Sequence, residues 1–134
     1  MRVNKEKGFP LNARFARMKI KAGQLPDRVN HLFMYNKKLW FLGDENKFGF
    51  IENGSVHVST VSNVNFRNAV TFEDRIWIGT YDNGILQLTL QGDSVLSDKW
   101  ITTADGLGSN NIYQLIWDAG DLWVGTERGL DRLK

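Results

Sequence analysis

Short apolar stretches alternate with polar turns along most of the chain. Many of these stretches combine β-branched and aromatic residues, as in Ile76–Ile78 and Leu122–Val124, which is typical of strands. In the run Ile85–Leu90, Ile, Gln and Thr alternate with three leucines, as expected of a strand with two different faces. No segment of about ten residues keeps a helical periodicity. The pattern therefore predicts an all-β protein.

Three segments of the chain share one pattern, centred on Trp40, Trp77 and Trp123. Each has an apolar strand, a short polar turn, and an aliphatic–Trp pair followed closely by Gly; a second polar turn and a third strand complete it. The tryptophans are 37 and 46 residues apart. Four-stranded sheets repeated at about 40–50 residues are the sequence signature of a β-propeller. A β-sandwich does not need the same Trp-and-Gly pattern in each second strand, and solenoid repeats are mostly shorter or helical.

The strand count predicts a single partial propeller domain over residues 1–134. An outer strand at about 13–21 is followed by a blade at about 29–61, a blade at about 66–102 and an incomplete blade at about 112–134. Together these make about three four-stranded antiparallel blades, too few for a ring of about four to eight. We therefore expect the ring to be completed either by the remaining blades of a longer chain or by a second copy. In a head-to-tail homodimer, each copy donates Ala13–Lys21 to its partner's last blade.

Composition narrows the classes of function. The chain has no Cys and only two His, which excludes disulfides, thiolate ligands and a His-rich metal site. Residues 1–28 hold eight Lys or Arg against two acidic residues, although the net charge is only +2. A basic arm can bind nucleic acid or anionic lipid, but no nucleic-acid motif accompanies it, which favours a solvated edge strand. We therefore expect no nucleic-acid partner. No apolar run approaches the ~18 residues of a membrane helix, so we also expect no membrane insertion by this segment.

The sequence contains no motif that points to catalysis. It has no nucleophile elbow, no zinc-protease helix motif and no phosphate-binding loop. His31 with Glu73 or Asp74 would be the acid–base pair of a propeller lyase, but nothing in their spacing requires it. We therefore interpret the chain as non-enzymatic, with no catalytic residues, no cofactor and no metal.

The last third of the chain resembles the two-component regulator propeller repeat. Gly106–Asn110 fill its first loop, with Gly where Pro is common, and Leu122–Thr126 and Gly129–Arg132 fill the rest of the motif. The middle unit matches the motif at Ile76–Thr80. The first unit is degenerate, because Trp40–Gly43 is not followed by the Thr.

This resemblance implies a function. Such repeats form the extracytoplasmic sensor region of hybrid two-component regulators, which are common in gut Bacteroidetes, and many of them sense oligosaccharides. It implies a periplasmic sensor segment in signal transduction, whose full-length parent continues into a membrane helix, a histidine kinase and often a DNA-binding regulator. None of those later modules is in this chain. An interaction or dimerisation scaffold and a lyase-like enzyme are the second and third interpretations.

The loops on one face of the disc are the predicted binding surface. Two classes of loop lie there, those that lead from an outer strand to the next inner strand and those between second and third strands. Loops on a rigid scaffold often carry function, although Asp and Asn in them are also ordinary turn formers. The candidate sugar contacts, which offer hydrogen-bonding groups and an aromatic face, are Arg28, Arg67, Tyr81, Asp82, Asn110, Asn111 and Arg128.

The positions that recur in each unit are assigned to folding. A Trp at one place in every unit is expected to pack between blades, and the Thr after Gly is expected to bond the backbone of the turn. Trp117 is expected to be a core residue on an inner strand. The recurring structural positions are Trp40, Gly43, Trp77, Gly79, Thr80, Trp123, Gly125 and Thr126.

Overall fold

The computed structural model describes residues 25–44, 46–60, 64–92 and 94–134. These ranges contain eleven β-strands and one short 3-10 helix, Thr103–Asp105. The predicted all-β fold class is confirmed. Across these ranges, no helix has the length and apolar character needed to cross a membrane. The predicted outer strand Ala13–Lys21 lies outside the described residues.

The strands form three antiparallel sheets, and neighbours in each sheet follow one another along the chain. The first sheet contains β1 (Val29–Tyr35), β2 (Lys38–Gly43), β3 (Lys47–Glu52) and β4 (Ser55–Thr60). The second sheet contains β5 (Phe66–Phe72), β6 (Arg75–Thr80), β7 (Ile85–Gln91) and β8 (Ser94–Ile101). The third sheet contains β9 (Ile112–Asp118), β10 (Asp121–Thr126) and β11 (Gly129–Leu133).

Two-residue turns join the first and second strands of the first and third sheets. Asn36 and Lys37 have φ values of 52° and 62°, and Ala119 and Gly120 have φ values of 52° and 85°. Two successive residues with positive φ give the turn whose twist matches that of the flanking strands. These turns therefore favour hairpins, and successive hairpins give the up-and-down order of each sheet.

The sheets pack face to face, with the innermost strands β1, β5 and β9 side by side. One core lies between the first and second sheets and includes Trp40 and Phe66. A second core lies between the second and third sheets and includes Trp77 and Ile112. The repeated Trp of the first two sheets is thus buried against the sheet that follows it.

Within the described ranges, no other sheet packs on one face of the third sheet. Ile116 and Leu130 are 51% and 68% exposed. Trp123 pairs with Ile116, and its neighbour Gly125 pairs with Leu130, so the three large side chains share a face. The guanidinium Cζ of Arg132 lies 5.3 Å from the Trp123 ring. We call Ile116, Trp123 and Leu130 the open face; it corresponds to the side on which Trp40 and Trp77 meet the next sheet.

The structure places Gly43 differently from its expected repeat position. Gly43 pairs with the first residue of β1, whereas Thr80 and Thr126 pair with the first residues of β5 and β9. Gly43 therefore stands at the Thr position, and Leu42 stands where the other sheets have Gly. Pro26, in the chain before β1, explains why this position holds Gly and not Thr, because a Cβ on Gly43 would overlap the ring of Pro26.

Candidate functional site

One backbone hydrogen bond recurs in all three sheets and joins the two classes of loop on the predicted face. In each case the N–H of the first residue after the second strand donates to the carbonyl of the residue before the innermost strand. The bonds are Asp44 to Arg28 (3.0 Å), Tyr81 to Asn65 (2.9 Å) and Glu127 to Asn111 (3.2 Å). Each sheet therefore holds its two loops together at the same end.

Thr80 and Thr126 fix the turns that follow the second strands. The Thr80 hydroxyl donates to the carbonyl of Gly84 at 2.7 Å and accepts from the N–H of Asn83 at 2.9 Å. The Thr126 hydroxyl donates to the carbonyl of Gly129 at 3.3 Å. Side chains of this type satisfy turn groups that the strand ladder leaves unpaired, so these turns present a fixed backbone to the surface.

A β-bulge near the start of each innermost strand takes one residue out of the regular ladder. The register shifts there in the pairing of β1 with β2, of β5 with β6 and of β9 with β10. Bulges re-aim side chains and are frequent beside functional sites. The displaced residues, which occupy equivalent positions in the three sheets, are Asn30, Arg67 and Tyr113.

The bulge residues of the first two sheets reach across to the next sheet. Asn30 Nδ2 donates to the carbonyl of Phe66 at 3.0 Å. Arg67 Nη1 donates to the carbonyl of Ile112 at 3.3 Å. Both acceptors are the first residue of the next innermost strand. Each of these bulge residues therefore connects two neighbouring sheets by a hydrogen bond.

Arg67 contacts two tyrosine rings. Its guanidinium Cζ is 4.7 Å from the ring centroid of Tyr81 and 5.0 Å from that of Tyr113. Its Nη1 also donates to Oδ1 of Asn111 at 3.2 Å. Both rings are about half exposed, at 53% and 52%, so each cation–π contact contributes about 0.5–1 kcal/mol. Two rings and two hydrogen bonds thus fix the position of the guanidinium.

A cleft with a volume of about 600 Å³ lies between the loops of the first and second sheets. This volume falls within the range of about 300–1,000 Å³ that is usual for small-molecule sites. Phe66 contributes apolar surface to it. The polar lining comes from Arg28, Asn30, Asp44, Asn65, Arg67 and Tyr81.

Asp44 organises the edge of the cleft. Its Oδ1 accepts a hydrogen bond from the backbone N–H of Arg28 at 3.0 Å, and its Oδ2 lies 3.8 Å from Arg28 Nε. The Arg28 side chain is 83% exposed, so the long ion pair adds little stability. The backbone bond fixes the loop, whereas the Arg28 guanidinium is free to reorient.

The structure brings four of the seven candidate residues together. Arg28, Arg67 and Tyr81 line the cleft, and Asn111 holds Arg67. Asp82 is exposed in the turn directly after Tyr81.

The other two candidates lie elsewhere. Asn110 is used by the fold, because its carbonyl accepts from the N–H of Gly84 and its Oδ1 accepts from the N–H of Thr103, both at 2.9 Å. Arg128 is exposed in the turn between β10 and β11 and does not line the cleft.

Sequence reasoning missed Asn30 and Tyr113. The available signal was their place in the repeat, since each is the second residue of an innermost strand, as Arg67 is. His31, considered above as an acid–base group, has its Nε2 3.1 Å from the carbonyl oxygen of Ala69. Among the residues with described positions, no three His, Asp or Glu side chains form a group that could hold a metal ion.

Comparison with solved structures identifies the fold. The chain resembles PorZ, a surface component of the type-IX secretion system of Porphyromonas gingivalis, with a TM-score of 0.62 and 20% identity over 85% of this chain and 19% of that one. It thus spans about a fifth of the PorZ chain. A chain of the mitotic checkpoint complex matches with a TM-score of 0.56 and 16% identity, over 98% of this chain and 44% of that one. The computationally designed Ika4 protein matches with a TM-score of 0.51 and 9% identity, over 89% of this chain and 98% of that one. These likenesses confirm the fold, a set of β-propeller blades.

A family match adds the type of repeat. Residues 106–128 match the family model described as two component regulator propeller. The match runs from the loop before β9 to the turn after β10, so the resemblance expected from the sequence is confirmed for this stretch. No curated protein matches the sequence significantly.

Proposed function

We propose that this chain is a non-catalytic, ligand-sensing segment of a β-propeller and that it binds an oligosaccharide in the cleft between its first and second sheets. The observation that supports this most is the arrangement around Arg67, a guanidinium in contact with the rings of Tyr81 and Tyr113 at the edge of a cleft of about 600 Å³. A sugar needs an aromatic face and fixed hydrogen-bonding groups, and this cleft offers both.

The proposal includes a place in signal transduction. The repeat type supports the periplasmic sensor region of a hybrid two-component regulator, whose histidine kinase lies in another part of the full-length protein. The cleft is lined by residues from both the first and second sheets. A ligand that contacts both sheets favours one packing of the two, and a ligand shifts an equilibrium only through such differential contacts.

A calorimetric screen of oligosaccharides tests the proposal. We expect at least one sugar to bind at millimolar concentration or below, and Tyr81→Ala to weaken that binding by about tenfold, equivalent to 1.4 kcal/mol. Arg128→Ala is the matched control, because Arg128 lies outside the cleft, and we expect it to leave the affinity unchanged. Absence of binding by every sugar at millimolar concentration would contradict ligand sensing.

The open face favours a second candidate, an interaction scaffold. Trp123 occupies the position at which Trp40 and Trp77 are buried by a following sheet, yet it is only half-buried. We propose that a second copy of the chain packs on this face head to tail and that its Ala13–Lys21 segment pairs with β11. Two copies of three sheets make six blades, within the range of about four to eight for closed rings.

Light scattering at micromolar concentration tests this second candidate. A dimer mass is expected. A monomer mass would contradict it, and would favour the remaining blades of a longer chain as the partner of the open face.

A further inference from the structure

We infer that the cleft recognises an acidic oligosaccharide, whose carboxylate or sulfate group binds to the free edge of the Arg67 guanidinium. This inference rests on the proposed function, because it specifies the class of sugar that the cleft takes. It follows from the hydrogen-bond donors of Arg67, from the charges around it and from the contacts that hold its guanidinium in place.

The donors of Arg67 are only partly used by the protein. A guanidinium has five N–H groups. The two on Nη1 are engaged, one by Asn111 Oδ1 at 3.2 Å and one by the carbonyl of Ile112 at 3.3 Å. Within the described ranges, Nε and Nη2 make no hydrogen bond. These two nitrogens form the edge whose parallel N–H groups match two oxygens of a carboxylate or a sulfate.

The charges of the cleft favour an anion at Arg67. The other cation that lines the cleft, Arg28, has Asp44 as its acidic neighbour, with Nε and Oδ2 3.8 Å apart. Arg67 makes no ion pair with any carboxylate in the part of the chain that is described. Among the described residues that line the cleft, Arg67 is therefore the one cation without an acidic neighbour, while Asp44 disfavours an anion near Arg28.

The tyrosine rings restrict how a ligand can approach. Tyr81 and Tyr113 both contact the guanidinium, with ring centroids 4.7 and 5.0 Å from Cζ, so part of its surface is already taken by the protein. Because the guanidinium is already held, a ligand that binds it loses less side-chain entropy than it would with a mobile Arg. The amides of Asn30 and Asn65 in the lining suit the neutral hydroxyl groups of the same sugar.

Two matched pairs of sugars test the inference by calorimetry. The first pair is tetragalacturonate and its fully methyl-esterified form, which has the same backbone without charge. The second pair is a sulfated galactan tetrasaccharide and its desulfated form. We expect the charged member of at least one pair to bind about tenfold more tightly or better, and the pair that shows this ratio distinguishes carboxylate from sulfate recognition.

Equal affinity for both members of each pair overturns the inference but leaves ligand sensing supported. Absence of binding by all four sugars overturns the inference, and the wider screen described above then decides ligand sensing separately. Binding of tetraglutamate as tight as that of the preferred sugar also overturns it, because the cleft then recognises an acidic group without the sugar.

Variants locate the contact. Arg67→Lys keeps the charge but removes the two-donor edge, so we expect the ratio between charged and uncharged sugars to fall by about tenfold. Arg75→Lys is the matched control, because Arg75 is the first residue of β6, at the opposite end of the second sheet from Arg67, and it is expected to keep the ratio. An unchanged ratio in Arg67→Lys contradicts the inference.

A measurement on the unmodified protein guards against a variant that misfolds, since Arg67 also joins β5 to β9. The NMR signal of the Arg67 Nε–H group is expected to shift when tetragalacturonate or the sulfated tetrasaccharide is added, and to stay in place with the uncharged forms. A signal that no charged sugar moves overturns the inference.

Discussion

At the scale of single residues, the hydroxyl of Thr80 stabilises the turn that presents Tyr81. Thr80 is 0% exposed, and its Oγ1 bonds the backbone of both Gly84 and Asn83. Thr80→Val keeps the shape of the side chain but removes its hydroxyl, so the carbonyl of Gly84 and the N–H of Asn83 each lose a hydrogen-bond partner. We therefore expect the free energy of unfolding to fall by about 1–3 kcal/mol. Urea denaturation measures it. Thr89→Val is the control, with an expected change below about 0.5 kcal/mol; equal losses would contradict a specific role for the Thr80 hydroxyl.

A second residue-scale prediction concerns Tyr35. Burial raises the pKa of its phenol above the usual 10.0, and the negative charge of Asp74 raises it further. The folded protein therefore holds this proton more tightly than the unfolded chain does. The contribution to stability is fully present below pH 10 and is lost as the pH rises through the higher pKa of the folded state.

The measurement is thermal unfolding followed by circular dichroism from about pH 8 to about pH 11, the range that brackets an ordinary tyrosine pKa. We expect the melting temperature of the unmodified protein to fall more steeply above pH 10 than that of Tyr35→Phe. Parallel pH profiles for the two proteins would contradict the raised pKa.

At the scale of strands and sheets, local sequence accounts for more of the fold than of the site. The strands β6 and β10 coincide with the Ile-Trp and Leu-Trp runs, because β-branched and aromatic residues between turn residues are a local signal. The bulge that displaces Tyr113 depends on how β9 pairs with β10, and its contact with Arg67 joins two sheets. Register and sheet contacts of this kind are non-local, so the sequence predicted Arg67 and Tyr81 as candidates but not Tyr113.

Gly79 and Gly125 give a matched test of the contact between sheets. They occupy the same place in β6 and β10, yet a Cβ on Gly79 would lie 2.7 Å from Ile112 Cγ2, whereas one on Gly125 would have no neighbour nearer than 3.8 Å. We expect Gly79→Ala to lower the free energy of unfolding by about 1–3 kcal/mol, because the third sheet must move away. Gly125→Ala is expected to change it by less than about 0.5 kcal/mol, again by urea denaturation. Similar losses for the two variants would contradict the close approach at Gly79.

At the scale of the whole molecule, the repeat predicts that the Trp of each sheet packs against a neighbouring sheet. It does not predict what covers the third sheet. The sequence led to the expectation that the repeated Trp packs between blades, and Trp40 and Trp77 do so with 3% and 6% of their surface exposed. Trp123 also has apolar neighbours along its own strand but no following sheet within the described residues. Its exposure is a property of the arrangement of sheets, which local sequence does not determine.

The open face therefore provides the test of assembly. If a second copy covers it, Leu130→Lys places a charge in the interface beside Arg132, and burial of an unpaired charge strongly disfavours association. We expect sedimentation equilibrium at micromolar concentration to show a dimer for the unmodified protein and a monomer for Leu130→Lys, with the same far-ultraviolet circular dichroism. Leu96→Lys is the control, because Leu96 is 63% exposed on the second sheet, away from the open face, and this variant should remain a dimer. A dimer that survives Leu130→Lys must use another surface, and head-to-tail packing on the open face would then be wrong.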